Sequence, residues 1–205
     1  MSETPHVPQV HDLLPGQASS VPRMLLDRIA TTPDREAYRY PVGDRWESVT
    51  WAEAGDVVRP LAAGLLALGI RPEERVAIAS STRIEWLYAD LAIACAGAAT
   101  TTVYPSTGPE DVGFILRDSD SRVVFAEDDV QVEKLRSQRA RLPGLDRVVT
   151  FDGTPDGDWV LGLADLRELV SYGASPRATA CDTSPSTPTP SSGPWPPYVP
   201  RTSRP

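Results

Sequence analysis

The chain has 205 residues and a formal charge of −8, which suits either one sizeable core or part of a larger enzyme. Three arginines against Asp182 give residues 173–205 a charge of +2, which leaves −10 for the rest of the chain. So acidic a body argues against nucleic acid or an anionic membrane as the main partner, because phosphate groups select basic surfaces.

The beginning of the chain predicts an extended lead-in, a helix and a pair of strands. Residues 1–20 are polar and contain proline, and apolar residues then recur at helical spacing up to Pro33. "AYRY" and "RWESVT" indicate two short strands, and Gly43 lies in the turn between them.

A capping box marks the start of the next predicted helix. Thr50 and Glu53 have the T-x-x-E spacing in which each side chain can satisfy a backbone N–H group of the other residue. Apolar residues follow at steps of three and four as far as Leu68, and Gly69 ends the helix.

The pattern then alternates between strands and helices. "VAIA" lacks polar alternation and so predicts a strand covered on both faces. This alternation predicts an α/β fold, with a doubly wound, mostly parallel sheet flanked by helices. The later predicted strands are "TTTVY", "RVVFA" and "RVVTF"; the later helices begin at Ile84, Pro109, Asp128 and Leu163.

A loop after one predicted strand offers the most suggestive site. In "YPSTGPED", Ser106, Thr107 and Gly108 could cradle a phosphate group on backbone N–H groups. A second capping box, Thr107 with Glu110, explains the same residues, and Glu110 and Asp111 would repel a phosphate group. We favour the capping interpretation.

Two other groups of residues have a structural interpretation beside a functional one. Glu127, Asp128 and Asp129 could hold a cation, but at a strand-to-helix junction they more simply complement the helix dipole. Trp86, next to Glu85, is better explained as an anchor of its helix against the sheet than as a ligand-stacking residue.

No catalytic, cofactor-binding or metal-binding residue is predicted. His6 and His11 both lie in the lead-in, which leaves no histidine for a general base or a metal cluster in the folded body. "GLLALG" lies at the end of a helix, whereas a dinucleotide fingerprint must follow a strand and open a helix. No Walker loop occurs.

Cysteine usage and hydropathy bear on the cellular compartment. Cys95 is expected to be a small buried hydrophobe and Cys181 lies in the tail, so no disulfide framework is expected, which suits a reducing cytoplasm. No signal peptide is visible, and no apolar run is long enough to predict a transmembrane helix.

The order of these pieces resembles the N-terminal region of the adenylate-forming (AMP-binding) enzymes, most closely the long-chain fatty-acyl-CoA synthetases. The resemblance covers about residues 20–172 and is carried by the T-W-x-E helix start, "GLLALGI", "RVAIAS", "IEW", "AGAATTTVYPS" and "FILRDSDSRVVFAED". One departure is "SSTRIEW", where the family commonly has an asparagine before the Arg-x-x-Glu-Trp segment.

The resemblance implies a two-step reaction and its substrates. A carboxylate reacts with Mg·ATP to give an acyl-adenylate and pyrophosphate, and coenzyme A then takes the acyl group. The resemblance implies peripheral membrane association of the intact enzyme as a further possibility. The family's phosphate-gripping loop, its ribose-binding aspartate and its C-terminal lysine come after the matched region, so no cofactor is expected to bind this chain alone.

Residues 173–205 change character. Proline, serine and threonine dominate from Pro176 onward, which predicts a disordered tail, and "PSTP" or "PWPP" would suit a groove that binds polyproline helices. We also consider a frameshift near residues 173–176. If the third bases are chosen freely, codons for the residues from Pro197 onward also encode a second segment when the reading frame is shifted by one base. That segment resembles the part of the family sequence that comes just before the phosphate-binding loop.

The sequence thus predicts residues 21–172 to be the N-terminal part of an AMP-binding synthetase domain that is inactive as this chain alone. Two alternatives stay open: a stand-alone α/β module that binds a nucleotide or an acyl group, and an interaction protein that uses its proline-rich tail.

Overall fold

The computed structural model describes residues 18–173, with side chains as far as residue 169. Most of the predicted lead-in, His6, His11, Cys181 and the predicted disordered tail lie outside the described residues. The proposed boundaries at residues 20 and 172 therefore stay predictions.

Within the described residues, helices and strands alternate as the sequence predicts. The helices are α1 Val21–Thr31, α2 Trp51–Ala67, α3 Ile84–Cys95, α4 Pro109–Asp118, α5 Asp129–Gln138 and α6 Leu163–Gly173, and a 3₁₀ turn covers Arg139–Arg141. The strands are β1 Glu36–Val42, β2 Arg45–Thr50, β3 Arg75–Ala79, β4 Ala99–Val103, β5 Ser121–Ala126, β6 Arg147–Thr150 and β7 Val160–Gly162.

The strands form two sheets. β1 and β2 make an antiparallel hairpin whose turn contains Gly43 at a φ of 57°, a conformation that glycine adopts without strain. The other five strands form a parallel sheet in the order β4-β3-β5-β6-β7. This confirms the predicted fold class and adds β7, a three-residue strand that the sequence analysis missed.

Side-chain alternation along β3, an interior strand of the parallel sheet, divides the core into two clusters. Val76 and Ile78 of β3 point into a cluster that also holds residues of α1, α2, α3 and α6. Ala77 and Ala79 point into a second cluster with residues of α4 and α5. All four side chains are buried, which confirms the predicted strand covered on both faces.

The capping box at the start of α2 is confirmed. The N–H group of Glu53 donates to Thr50 Oγ1 at 3.3 Å, and the Thr50 N–H group donates to the Glu53 carboxylate at 2.8 Å. The helix ends at Ala67, and Gly69 follows with a φ of 84°. "GLLALG" therefore lies where the sequence predicts, inside and just beyond a helix.

A second glycine of that segment allows two helices to touch. Gly64 lies in α2 against α6, and a Cβ atom there would stand 2.3 Å from the carbonyl oxygen of Leu166. Leu166 is itself fully buried in the first core cluster. Only the missing side chain at Gly64 allows this close approach of α6.

The prediction that Cys95 is a small buried residue is confirmed, since its side chain is 3% exposed within the first cluster. Trp86 is half-buried and packs against the same cluster, and it also lines a small cavity described below. Its role as a helix anchor therefore stays a prediction. In the described part of the chain, no helix combines the length and hydropathy needed to cross a bilayer.

Candidate functional site

The candidate site lies at the carboxyl edge of the parallel sheet, which is the side of the sheet where the C-terminal ends of its strands lie. The helix after β3 packs on one face of the sheet, whereas the helix after β5, the neighbouring strand, packs on the other face. A crevice between two such strands is where open α/β sheets bind ligands. The loops after β3, β5 and β6 meet at this edge.

A glutamate from the β5 end holds the loop after β3. Glu127 accepts hydrogen bonds from the N–H group of Ser81 at 2.8 Å and from Ser81 Oγ at 2.6 Å. Burial opposes ionisation of Glu127, but these two hydrogen bonds and the nearby Arg83 guanidinium outweigh burial and hold the pKa of the carboxyl below its usual range.

Arg83 joins the same loop to the end of β6. Its guanidinium contacts Glu85 at 2.5 Å and Asp152 at 2.5 Å, and it lies 3.9 Å from Glu127. It also lies 5.8 Å from the ring centre of Phe151. The hydrogen bond to Glu85, followed by that to Asp152, raises the pKa of Arg83 despite partial burial, so the guanidinium stays charged.

Arg83, Glu85, Glu127 and Asp152, together with Ser81, are called the edge cluster below. It fills the crevice with the chain's own charged groups. Each acid in it is engaged by a donor of the same cluster. The cluster therefore ties three loops together.

A small cavity opens beside the edge cluster. It has a volume of about 220 Å³ and lies between the loops after β3 and β4. No charged side chain lines it. The lining residues are Ser80, Ser81, Thr82, Trp86, Thr102, Val103, Tyr104 and Pro105.

The predicted capping box at Thr107 is wrong. The N-cap of α4 is Gly108, no side chain caps this helix, and Pro109 is its first residue. Glu110 then falls at the second helical position, one short of the place that a capping box requires. The N–H group of Thr107 instead donates to the carbonyl oxygen of Tyr104 at 2.9 Å.

The same loop was the candidate phosphate cradle, and that hypothesis stays untested. Glu110 and Asp111 both lie in the first turn of α4, where their negative charges oppose an anion. Lys134 of α5 contacts this loop, because its Nζ donates to the carbonyl oxygen of Pro105 at 2.5 Å.

The carboxylates that follow β5 serve the chain itself. Asp128 is the N-cap of α5 and accepts from the N–H group of Gln131 at 3.0 Å, which confirms its helix-end role. Asp129 accepts from the N–H group of Thr154 at 2.7 Å. Across residues 18–169, no three His, Cys, Asp or Glu side chains group in a way that could hold a metal ion.

The edge cluster was not predicted from the sequence. Local pattern indicates only a helix-end charge at Glu127 and nothing that connects it with Arg83. A signal was available: Arg83 is the N-cap residue of α3 and makes no side-chain capping bond. A cation is unfavourable at the positive end of a helix dipole, so its position called for nearby carboxylates.

Comparison with known proteins places this geometry in a family. Residues 25–192 match the family described as AMP-binding enzyme. The long-chain-fatty-acid–CoA ligase FadD15 of Mycobacterium bovis is 34% identical over 160 residues, which are 78% of this chain and 26% of that protein. The phosphinothricin tripeptide synthetase PhsB of Streptomyces viridochromogenes is 34% identical over 152 residues, 72% of this chain and 12% of that protein.

A solved structure shows the same fold. The acetoacetyl-CoA synthetase from Streptomyces lividans superposes with a TM-score of 0.65 at 28% identity, over 72% of this chain and 25% of that one. The chain thus spans about a quarter of the ligase and of the solved synthetase, and less of the peptide synthetase.

Proposed function

The chain belongs to the AMP-binding enzyme family, and from that premise we propose that it is the N-terminal part of an ATP-dependent long-chain fatty acid–CoA ligase. In the whole enzyme, the fatty acid carboxylate attacks the α-phosphate of ATP and displaces pyrophosphate. The sulfur of coenzyme A then attacks the acyl carbon and AMP leaves. The observation that carries this proposal is the 34% identity to a long-chain-fatty-acid–CoA ligase over 78% of the chain.

We propose further that this chain does not catalyse either step alone. Attack of a carboxylate on a phosphate group needs cationic groups that offset the charge of two anions. At the carboxyl edge, Arg83 is already engaged by Glu85 and Asp152. The carboxylates Glu127, Asp128 and Asp129 accept hydrogen bonds from Ser81, Gln131 and Thr154, which supports the proposal that these three do not hold a Mg²⁺ ion.

The intact enzyme is proposed to act in the cytoplasm, in keeping with the sparse cysteines, and to approach membranes only peripherally. For residues 173–205 the frameshift stays our hypothesis. The coding DNA tests it: a frame just downstream must encode a Ser/Thr/Gly-rich loop that ends in Lys-Gly, and its absence removes the hypothesis.

Two enzymatic measurements test the proposed function. The 205-residue chain is assayed for exchange of labelled pyrophosphate into ATP with palmitate and Mg²⁺, and we expect no exchange above a protein-free blank. Residues 21–172 then replace the matching region of the Mycobacterium bovis ligase, and we expect the chimera to form palmitoyl-CoA. The matched control is the same chimera with Val76→Asp, which places a charge in the buried interior strand β3.

The outcomes separate the parts of the proposal. Exchange by the 205-residue chain would overturn its dependence on the rest of the enzyme and favour a stand-alone module. A chimera that activates amino acids but not fatty acids would replace the ligase assignment with a peptide synthetase. A chimera no more active than its Val76→Asp control would show that this region cannot serve a fatty acid ligase.

A further inference from the structure

The parallel sheet has one long open edge. In the order β4-β3-β5-β6-β7, the outer strands are β4 and β7, and no described strand pairs with the outer side of β4. β7 has only three residues, whereas β4 has five. Ala99 and Thr102 of β4 are exposed.

The free backbone groups of this edge can be identified. The N–H group of Ala99 donates to the carbonyl oxygen of Glu74, toward β3. Because successive residues of a strand present their N–H and C=O groups to opposite sides, Thr101 and Val103 also face β3. The N–H and C=O groups of Thr100 and Thr102 therefore point outward.

This edge carries none of the features that keep sheet edges apart. Natural edges are protected by charged residues, proline, bulges or very short strands. β4 reads Ala-Thr-Thr-Thr-Val and pairs with β3 without a register shift. No Asp, Glu, Lys, Arg or His occurs between Asp90 and Glu110.

The flank of the edge is also apolar. α3 packs beside β4, and Trp86, Leu87 and Ala94 of this helix are half-buried. Asp90 of the same helix accepts a hydrogen bond from Thr100 Oγ1 at 2.6 Å. The charge nearest the strand is therefore already satisfied within the chain.

We propose that β4 is a self-association surface, on which a second copy of this chain adds its own β4 in antiparallel orientation. The occupant follows from the strand itself: under a two-fold axis, the free N–H and C=O groups of β4 pair with the same groups of an identical β4. The overall charge of −8 opposes contact between two copies elsewhere, whereas the stretch between Asp90 and Glu110 carries no charge and does not oppose it. This inference does not depend on the proposed function.

The pairing has a definite register. A two-fold axis at Thr101 sets Thr100 opposite Thr102 of the second copy, so that the outward backbone groups of both residues form hydrogen-bonded pairs. Thr101 then lies opposite its own counterpart in a pair that makes no backbone hydrogen bonds, with Cα atoms about 4.5 Å apart. Directly opposed threonines favour pairing, and no like charges meet across the strands.

Three variants at Thr102 test the surface by sedimentation velocity over a range of concentrations. Thr102→Pro removes an outward N–H group without breaking a bond to β3, and Thr102→Lys adds a charge. We expect the unmodified chain to form a dimer and both variants to weaken it roughly tenfold or more. Thr102→Val keeps the N–H group and the shape, and is expected to dimerise like the unmodified chain. Far-ultraviolet circular dichroism establishes that each variant is folded.

Cysteine cross-linking tests the register, in a Cys181→Ser background. Thr101→Cys is expected to give a disulfide-linked dimer under mild oxidation. Ala99→Cys is the control, because Ala99 lies on the same face but its counterpart is four residues away along the partner strand. A monomeric chain at all concentrations, self-association unchanged by Thr102→Pro and Thr102→Lys, or equal cross-linking at both positions would overturn the proposal.

Discussion

The guanidinium of Arg83 and the carboxylate of Asp152 lie 2.5 Å apart although 69 residues separate them in the chain. The first follows β3 and the second follows β6, so this ion pair spans the carboxyl edge of the sheet and passes over the end of β5. It joins loops that no backbone ladder connects.

We expect the two partners of this ion pair to contribute unequally to stability. Arg83→Gln leaves Glu85 and Glu127 without their guanidinium and is expected to lower the free energy of unfolding by about 1–2 kcal/mol. Asp152→Asn should cost about 0.5 kcal/mol, because the Asp152 side chain is 59% exposed and Arg83 keeps Glu85. Urea unfolding of both variants and of the double variant measures the coupling. Equal losses of stability in the two variants would contradict the view that Arg83 holds the edge cluster together.

The two T-x-x-E segments give a matched pair for helix capping. Thr50→Ala removes the side-chain cap of α2 and is expected to cost about 1 kcal/mol. Thr107→Ala, at the segment that the structure does not use as a cap, should change the free energy of unfolding by less than about 0.5 kcal/mol. Urea unfolding at neutral pH compares the two. A loss at Thr107 as large as that at Thr50 would restore the second capping box.

Two glycines give a matched pair for packing. Gly64→Ala places a Cβ atom 2.3 Å from the Leu166 carbonyl oxygen and should cost about 2 kcal/mol, because α6 must move away from α2. Gly108→Ala meets nothing within 4 Å, so it should cost only the roughly 0.5 kcal/mol by which alanine is a poorer N-cap than glycine. Thermal melts followed by circular dichroism measure both. A stable Gly64→Ala variant would show that the two helices do not pack this closely.

Asp156 is expected to give stability a measurable pH dependence. Hydrogen bonds from the Val160 and Asp158 N–H groups, helped by Arg136, lower the pKa of Asp156 to about 2 from the usual 3.8. Since the folded state holds its proton less tightly, this stabilisation is complete above about pH 4 and is lost as the pH falls toward 2.

The matching variant is Asp156→Asn. It should be less stable than the unmodified chain by about 1 kcal/mol at pH 7, a figure kept small because solvent screens a partly exposed group. The difference should shrink as the pH falls from 4 to 2. Urea midpoints across that range measure it, and a difference that stays constant with pH would remove Asp156 as its source.

Local patterns predicted most of the fold because each helix and central strand carries its own signal. The buried run at β3 and the capping box at Thr50 depend only on neighbouring residues. β7 was missed because three residues show no periodicity and become a strand only by pairing with β6. The predicted capping box at Thr107 was wrong for a related reason. A capping box can be recognised only when the first helical residue is known, and here that residue is Pro109, so that Gly108 and not Thr107 is the N-cap.

The candidate site was less accessible to sequence reasoning. Ser81 and Glu127 are 46 residues apart, and their contact follows from the order of strands in the sheet. Nothing local to either residue indicates the other. Arg83 was the one local sign, as a cation at the start of a helix, and it points to an acidic partner without saying which one.

The contact between Gly64 and Leu166 also bears on how the chain is made. α2 leaves the ribosome well before α6, whose Leu166 packs against the inner face of α2 at Gly64. During translation the first core cluster therefore stays incomplete until α6 has emerged from the exit tunnel. A nascent chain that stalls before Leu166 would expose the apolar face of α2 to chaperones. Once Leu166 has left the exit tunnel, α6 can pack on that face and cover it.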